Sequence, residues 1–478
     1  MADIAAPRAT PATRPGRRSS VGALASLALA MLLSSLGTSI ANVALPTLAT
    51  AFDASFAAVQ WVVLAYLLAV TALIVSIGRL GDLVGRRRLL VAGLALFGVA
   101  SLAAALAPTL SLLIAARAGQ GLGAAAMMAL TIAFVGETVP KERTGSAMGL
   151  LGTMSAIGTA LGPSLGGVLI AALGWRSIFL VNSILGIAAV VLAWRFLPGE
   201  ARPKAGGGGP RFDMAGTLLL AATLGAYALA MTAARGHAGG LDTALLAAAF
   251  VGAGLFVVVE GRVAAPLVEP ALLRDPVLAS SLAINALVST VMMATLVVGP
   301  FFLSRALGLS EAMTGAVLSI GPVLSIACGV VAGRVVDRLG AAAMVTTGLT
   351  LMAGGCVALS VLPGLFGVPG YAAAIVLLTP GYQLFQAANN TAVMAGVAEG
   401  RRGVVSGMLS LSRNLGLVTG TAVMGAVFSH AVGTGEIASA APRAVASGMA
   451  FTFMVAAGLV SAALAIAAVG NWHRRRSA

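Results

Sequence analysis

Of the 478 residues, 59% are hydrophobic and only 9% are charged, and the mean hydropathy is +1.01. So little polar surface cannot enclose a soluble core of this size, which leaves lipid as the solvent and excludes soluble fold classes. The net charge of +14 does not indicate nucleic acid, because the basic residues gather in short loops and no basic patch is interleaved with aromatics. Cys328 and Cys356 both lie inside apolar runs, and neither their number nor their spacing suggests a disulfide framework or a metal cluster.

Residues 1–21 are basic, polar and proline-containing and read as a cytoplasmic tail. The apolar run 22–46 is too long for the core of a signal peptide and predicts a retained first helix. At about 20 residues per span, further helices are predicted over 57–77, 88–107, 110–134, 145–172 and 176–197. Two more apolar runs, 214–233 and 242–259, precede a second set over 278–303, 313–333, 341–361, 370–395, 403–430 and 447–470. The sequence thus predicts an all-α polytopic membrane protein with fourteen transmembrane helices. Between the second and third, residues 78–90 predict a tight, charged turn. There Gly78, Gly81 and Gly85 let the backbone bend, and Arg86, Arg87 and Arg88 hold it to one side of the bilayer.

Orientation follows from counting Lys and Arg on alternate loops. The side holding the N-terminus carries 23, whereas the other has only Arg176, Arg235, Arg305 and Arg443; Arg117 and Arg413 fall inside helices. This asymmetry puts both termini in the cytoplasm of a multi-pass plasma-membrane protein. The chain also repeats itself. Gly78-Arg79-Leu80-Gly81-Asp82-Leu83-Val84-Gly85 returns as Gly333-Arg334-Val335-Val336-Asp337-Arg338-Leu339-Gly340, an offset of 255. Gly145, Gly149, Gly158, Gly162 and Gly167 return as Gly403, Gly407, Gly416, Gly420 and Gly425, an offset of 258. Two matches at nearly one offset argue for duplicated halves. The expected division is a tail (1–21), a six-helix half (22–197), a linker with two inserted helices (198–275), a second six-helix half (276–470) and a tail (471–478). Pro198 to Pro210, which includes Gly206 to Gly209, reads as a flexible linker.

Five further motifs lie on the first, second, fourth, fifth and sixth helices: Leu36 to Pro46, Gln60 to Tyr66, Arg117 to Gly123, Gly158 to Gly167 and Trp175 to Phe179. Phe212 to Gly216 opens the inserted pair. Together with the Gly78 to Gly85 loop, they make nearly the whole chain resemble the fourteen-helix drug:proton antiporter branch of the major facilitator superfamily. The resemblance implies a six, two, six helix arrangement, alternating access, and a proton gradient as the energy source with no cofactor.

Gly158, Gly162, Gly166 and Gly167 leave one side of a helix bare, and Pro163 bends it. Plain packing and a gating hinge both fit, and the resemblance implies a helix that seals the substrate path against proton leak. Arg117 is a charge inside a membrane helix, which marks either a functional site facing a cavity or a structural arginine bonded to backbone carbonyls. The resemblance implies proton coupling, and Arg413 carries the same pair of readings. Asp82 is expected at a helix terminus, close to free N–H groups and arginines. By resemblance it latches the two halves together, with Arg86 facing Glu137 and with Asp337 repeating the arrangement; a static cap is compatible with that role. Gly78, Asp82, Gly85, Arg86, Glu137, Gly162, Pro163, Gly166 and Asp337 thus form the candidate gating set.

The chain departs from the branch at Gly37, where cation exporters of that type carry an aspartate. None of the 15 acids lies near the middle of a predicted helix. An acid-free midplane is a poor trap for a multivalent cation, so a neutral, anionic or amphipathic substrate is expected, with Arg117 and Arg413 supplying positive potential. Thr379, Gln383, Gln386 and Asn390 share one face of an otherwise apolar helix, while Ser35, Thr38 and Asn42, and Ser281, Asn285 and Ser289, form two more stripes. Interhelical hydrogen bonding and a hydrogen-bonding substrate path both account for such stripes. Their placement on helices that line the family cavity favours the path. The candidate substrate-binding set is Thr38, Asn42, Tyr66, Asn285, Gln383, Gln386 and Asn390, with Met292, Met293 and Phe385 as adaptable apolar surface.

The expected protein is a secondary active, proton-coupled exporter of a drug, antibiotic or other small amphipathic compound. It works as a monomer in the lipid bilayer, with the small molecule and protons as partners, no nucleic acid, no metal and no enzymatic activity. Rival readings are a uniporter, an uptake symporter, and a non-transporting sensor or accessory protein. No nucleotide-binding P-loop is present in the sequence.

Overall fold

The computed structural model describes residues 17–138, 144–197, 214–233, 240–263, 274–395, 397, 402–433, 437 and 440–477. With no water in the bilayer core, backbone groups must pair within their own segment, and the apolar runs accordingly become helices. The first group is α1 (Arg17–Val43), α2 (Leu45–Ala51), α3 (Phe56–Val84), α4 (Arg86–Leu106), α5 (Leu110–Thr138), α6 (Thr144–Leu173) and α7 (Arg176–Phe196). The hairpin α8 (Met214–Ala233) and α9 (Gly240–Glu260) follows. The second group is α10 (Pro276–Phe301), α11 (Glu311–Leu318), α12 (Ile320–Leu339), α13 (Ala341–Phe366), α14 (Val368–Ala395), α15 (Arg402–Thr419), α16 (Gly425–Val432) and α17 (Pro442–Ser477). The described residues contain 14 stretches long and apolar enough to cross a bilayer. An even number brings both ends of the chain to one face, here termed the terminal face.

Three local features differ from the expected boundaries. The turn expected over 78–90 shrinks to one residue. α3 stays helical to Val84, α4 begins at Arg86, and Gly85 at φ 108 makes the whole reversal, its N–H closing on the Gly81 carbonyl at 2.9 Å. Such a φ is open to glycine and strained for any other residue. The first helix does not reach residue 46 unbroken, because Pro46 has no N–H for the helical ladder, and the chain restarts as α2 after Ala44. The span expected over 313–333 is split at Ser319, whose hydroxyl donates back to the Gly315 carbonyl at 2.7 Å.

α1–α7 and α10–α17 pack mainly among themselves, giving two bundles. Equivalent helix pairs meet in the same register. A Cβ placed on Gly158 of α6 would strike the Leu32 carbonyl of α1, and one on Gly416 of α15 would strike the Ala286 carbonyl of α10. One turn on, Gly162 abuts Ser39 and Gly420 abuts Thr290 and Met293. Ser35 and Ser289 occupy matching places, the first bonded to Ser155 at 2.7 Å. These backbone approaches replace the hydrophobic effect, which cannot drive helices together in hydrocarbon.

The α8–α9 hairpin lies along α3. The Trp61 indole N–H donates to Thr232 at 3.1 Å near one end of α8, and the Ser76 and Thr217 hydroxyls meet at 2.6 Å near the other. Leu220 and Leu224 cluster with Leu68 of the first bundle and with Leu411 and Leu415 of α15, so the hairpin also touches the second bundle.

The glycine seams are testable. Gly158→Ala and Gly416→Ala, each placing a methyl against a backbone carbonyl, are expected to cost about 1–3 kcal/mol, read as a lower Tm of the purified protein in detergent. Gly152→Ala, on the same helix as Gly158 but facing open space, is expected not to lower Tm, since alanine favours the helix over glycine.

Candidate functional site

The first bundle is organised around Arg117, which is fully buried on α5. Its Nε donates to the Val62 carbonyl of α3 at 2.7 Å, one terminal nitrogen donates to the Gly37 carbonyl of α1 at 3.0 Å, and the other donates to Gln120 Oε1 at 2.8 Å. Gln120 Nε2 passes the chain on to the Ser101 hydroxyl of α4 at 2.6 Å. The Tyr66 ring lies 4.4 Å from the guanidinium carbon, a cation–π contact, and its hydroxyl donates to the Ser34 carbonyl at 2.7 Å. One side chain thus ties four helices together, and every described group bonded to it is neutral. Gly37 belongs to this knot through its carbonyl. A Cβ there would sit 3.2 Å from both the Tyr66 hydroxyl and the Phe97 ring, so a side chain at this position would enter the network.

The polar stripes divide. Thr38 is half-buried and donates to the Ser34 carbonyl at 3.1 Å; buried Asn42 donates to the Thr38 carbonyl at 2.9 Å, and its Oδ1 has no partner among the described residues. Asn285 donates to the Leu409 carbonyl of α15 at 3.1 Å, and Ser412 returns a bond to the Leu282 carbonyl at 2.6 Å. Asn285 therefore joins two helices of the second bundle, while its Oδ1 stays unpaired among the described residues. On α14, Thr379 is buried 3.6 Å from where a Gly321 Cβ would lie; Gln383 and Gln386 are half-buried and Asn390 is exposed. Gln386 Oε1 is buried without a partner among the described residues, as is Nδ2 of neighbouring Asn389.

Arg413 does not mirror Arg117. It is exposed on α15, while Arg117 is sealed, and the two share no described partner. In the gating set, Gly85 makes the reversal and Arg86 opens α4 with its stem over Gly81. Gly78, Asp82 and Glu137 stand in the final stretches of α3 and α5, and their side chains lie outside the described residues. Asp337 is exposed and forms no ion pair with another described residue. Gly162 and Gly166 face α1, the latter against Ile40 and Val43, and the Pro163 carbonyl faces Gly315 of α11.

On the face opposite the termini the bundles meet through residues that, apart from Gly167, carry no gating reading in the sequence. Phe56 stands edge-on to Phe301 at 4.8 Å and to Phe428 at 5.7 Å. Gln60 Nε2 donates to the Thr421 carbonyl at 2.7 Å, and Gly167 lies against Glu311 and Gly315. Arg305 donates to the Thr50 hydroxyl at 2.8 Å, a pairing that no motif signalled. Beside that bond lies a polar cleft of about 370 Å³ whose walls include Thr47, Ser304, Glu311 and Thr314. Gln120 was signalled by its i+3 spacing from Arg117 within one motif.

Residues 27–421 match the family model described as Major Facilitator Superfamily. The riboflavin transporter RibZ of Clostridioides difficile is 30% identical over 406 residues, covering 85% of this chain and 88% of the relative. The multidrug resistance protein Stp of Mycobacterium tuberculosis is 34% identical over 403 residues, covering 82% of this chain and 72% of the relative. A solved bacterial homologue of the human lysosomal transporter Spinster superposes with a TM-score of 0.67 at 16% identity over 95% of this chain and 97% of that one, a likeness of fold.

Removing the knot tests its weight. Arg117→Ala deletes two interhelical bonds and leaves the Val62 and Gly37 carbonyls without this donor, an expected loss of about 2 kcal/mol read as a lower Tm. Arg117→Lys, which keeps the charge but not the planar fork of donors, is expected to recover only part of it.

Proposed function

The chain belongs to the Major Facilitator Superfamily and is a multi-pass membrane transporter, and from that premise we propose that it exports small neutral, anionic or amphipathic compounds from the cytoplasm. The proposed energy source is the proton gradient, and the working unit is a monomer in the plasma membrane. The two bundles rock about a site near the midplane, with the terminal face cytoplasmic, as the charge count of the loops supports. The family relationship to a multidrug resistance protein supports the export direction.

The observation that carries the substrate class is the pairing at position 37. The Gly37 carbonyl, in place of the carboxylate expected in cation exporters, faces the Arg117 guanidinium, so the region keeps its positive charge and offers no anion to a cationic drug. Thr38, Asn42, Tyr66, Asn285, Gln383, Gln386 and Asn390 are the proposed binding residues, with the unpaired amide oxygens of Asn42, Asn285 and Gln386 as acceptors for substrate N–H and O–H groups. Arg117 is proposed to serve coupling by holding α1, α3, α4 and α5 as one unit, and Arg413 by presenting a second cation. The helix-end residues Gly78, Asp82, Gly85, Arg86, Glu137 and Asp337 are the proposed cytoplasmic latch, and Gly162, Pro163 and Gly166 the proposed hinge of α6.

A second reading is uptake or exchange of a flat, uncharged, hydrogen-bonding solute, which the likeness to a riboflavin transporter favours. One experiment separates the two. Cells expressing the chain are loaded with riboflavin, an anionic dye or ethidium, and retained fluorescence is followed with and without a protonophore. Export predicts lowered retention of neutral or anionic compounds, lost when the gradient collapses, with ethidium unaffected. Raised riboflavin accumulation supports uptake instead. Gly37→Asp, which puts a carboxylate beside Tyr66, is expected to move export towards ethidium; an unchanged preference sinks the substrate-class assignment.

A further inference from the structure

α4 and α7 run side by side on the outside of the first bundle, held close by Gly98 and Gly186, where a Cβ on the latter would lie 3.0 Å from the Gly98 Cα. The Ser183 hydroxyl donates to the Gly98 carbonyl at 3.0 Å, fixing the pair. Both helices present an exposed apolar stripe: Leu96, Val99 and Leu102 on α4, and Ile184, Ile187 and Val191 on α7. Any membrane helix shows such a stripe to lipid. This one ends, at the terminal face, in a built cationic rim.

The rim is Arg87, Arg88 and Arg195 around Trp194. Trp194 is 69% exposed and continues the α7 stripe at i+3 from Val191, the level at which indoles sit among lipid headgroups. Arg87 donates to the Trp194 carbonyl and lies 5.7 Å from its ring, and Arg195 lies 5.9 Å from the Phe196 ring. Arg88 and Arg195 are exposed. The aromatic and carbonyl contacts hold Arg87 and Arg195 in place, so less side-chain freedom is lost when a ligand arrives.

We propose that this surface seats one anionic phospholipid of the leaflet on the terminal face, its acyl chain along the α4–α7 stripe and its phosphate at the three guanidinium groups. Guanidinium matches phosphate with paired N–H donors. A zwitterionic lipid brings an ammonium into the same rim and loses the net attraction, so the seat selects charge as well as shape.

The test uses the full chain purified from a membrane containing phosphatidylethanolamine and phosphatidylglycerol, with the co-purifying lipids quantified by mass spectrometry. The unmodified protein is expected to retain phosphatidylglycerol above its share in the membrane. Arg88→Gln with Arg195→Gln is expected to lower that enrichment by about fivefold or more. Arg334→Gln with Arg338→Gln, which neutralises two exposed arginines at the end of α12, is expected to leave it intact. Unchanged enrichment in the first variant, or an equal fall in the second, overturns the proposal. A measurement on the unmodified chain stands apart from any folding defect: in nanodiscs, adding phosphatidylglycerol to phosphatidylcholine is expected to raise Tm, and the lysine pair Arg88→Lys with Arg195→Lys to keep the rise. No rise in the unmodified chain overturns the seat.

Discussion

A guanidinium inside hydrocarbon has no water to solvate it, so the protein itself must do so. Arg117 solves that constraint with two main-chain carbonyls from neighbouring helices and a glutamine from its own. Because each partner belongs to a helix or leads on to one, satisfying the charge and fastening the bundle become the same act. α1, α3, α4 and α5 are joined at one depth, and the rocking motion proposed for the transporter then has a rigid body to act on. A cation that costs several kcal/mol to place in lipid is thereby turned into a cross-brace of the first bundle.

The second bundle reaches cohesion by another route. Gly416 and Gly420 bring α15 onto α10, and Asn285, Thr290 and Ser412 bond across the same seam. No buried charge anchors it among the described residues. The two bundles therefore share a glycine-lined helix pair inherited in register, and differ in what fills the space beside it. On the face opposite the termini, the contacts between bundles are a mixture of ring edges, a glutamine, an arginine and a close glycine pair. Each is small enough to be exchanged in a transport cycle.

Hydropathy and loop charge made the fourteen spans legible, because a lipid environment rewards the same apolar composition along a whole helix. Glycine spacing made the α1–α6 and α10–α15 seams legible, since close approach demands that residue type. Other features were hidden for identifiable reasons. Arg117 and Arg413 look alike in the sequence, two cations in apolar runs, yet one is sealed and the other exposed; the neighbours that decide this come from other helices. The partners of Arg117 on other helices are main-chain carbonyls, which every residue carries and no motif marks. The loop from 78 to 90 looked like a turn because it is charged and rich in glycine, but helical hydrogen bonding tolerates both and yields only at Gly85. The α14 stripe shares one helical face by spacing, but Gln383 and Gln386 are half-buried and Asn390 is exposed, while Val393 in the last turn packs against α10 and α15.

Thr50 and Arg305 stand 255 residues apart, the offset at which Gly78 to Gly85 returns, and they bond to each other. Had the halves been two copies of one chain, an isologous contact there would have set like against like, arginine facing arginine or threonine facing threonine. Two guanidinium groups repel, and two threonine hydroxyls make a weaker link than a hydroxyl accepting from a cation. The donor–acceptor bond seen here needs different residues at equivalent sites, so it is open to a fused, diverged chain and closed to a symmetric dimer. In two halves of the kind the repeat argues for, covalent linkage lets one position cease to be its own mirror.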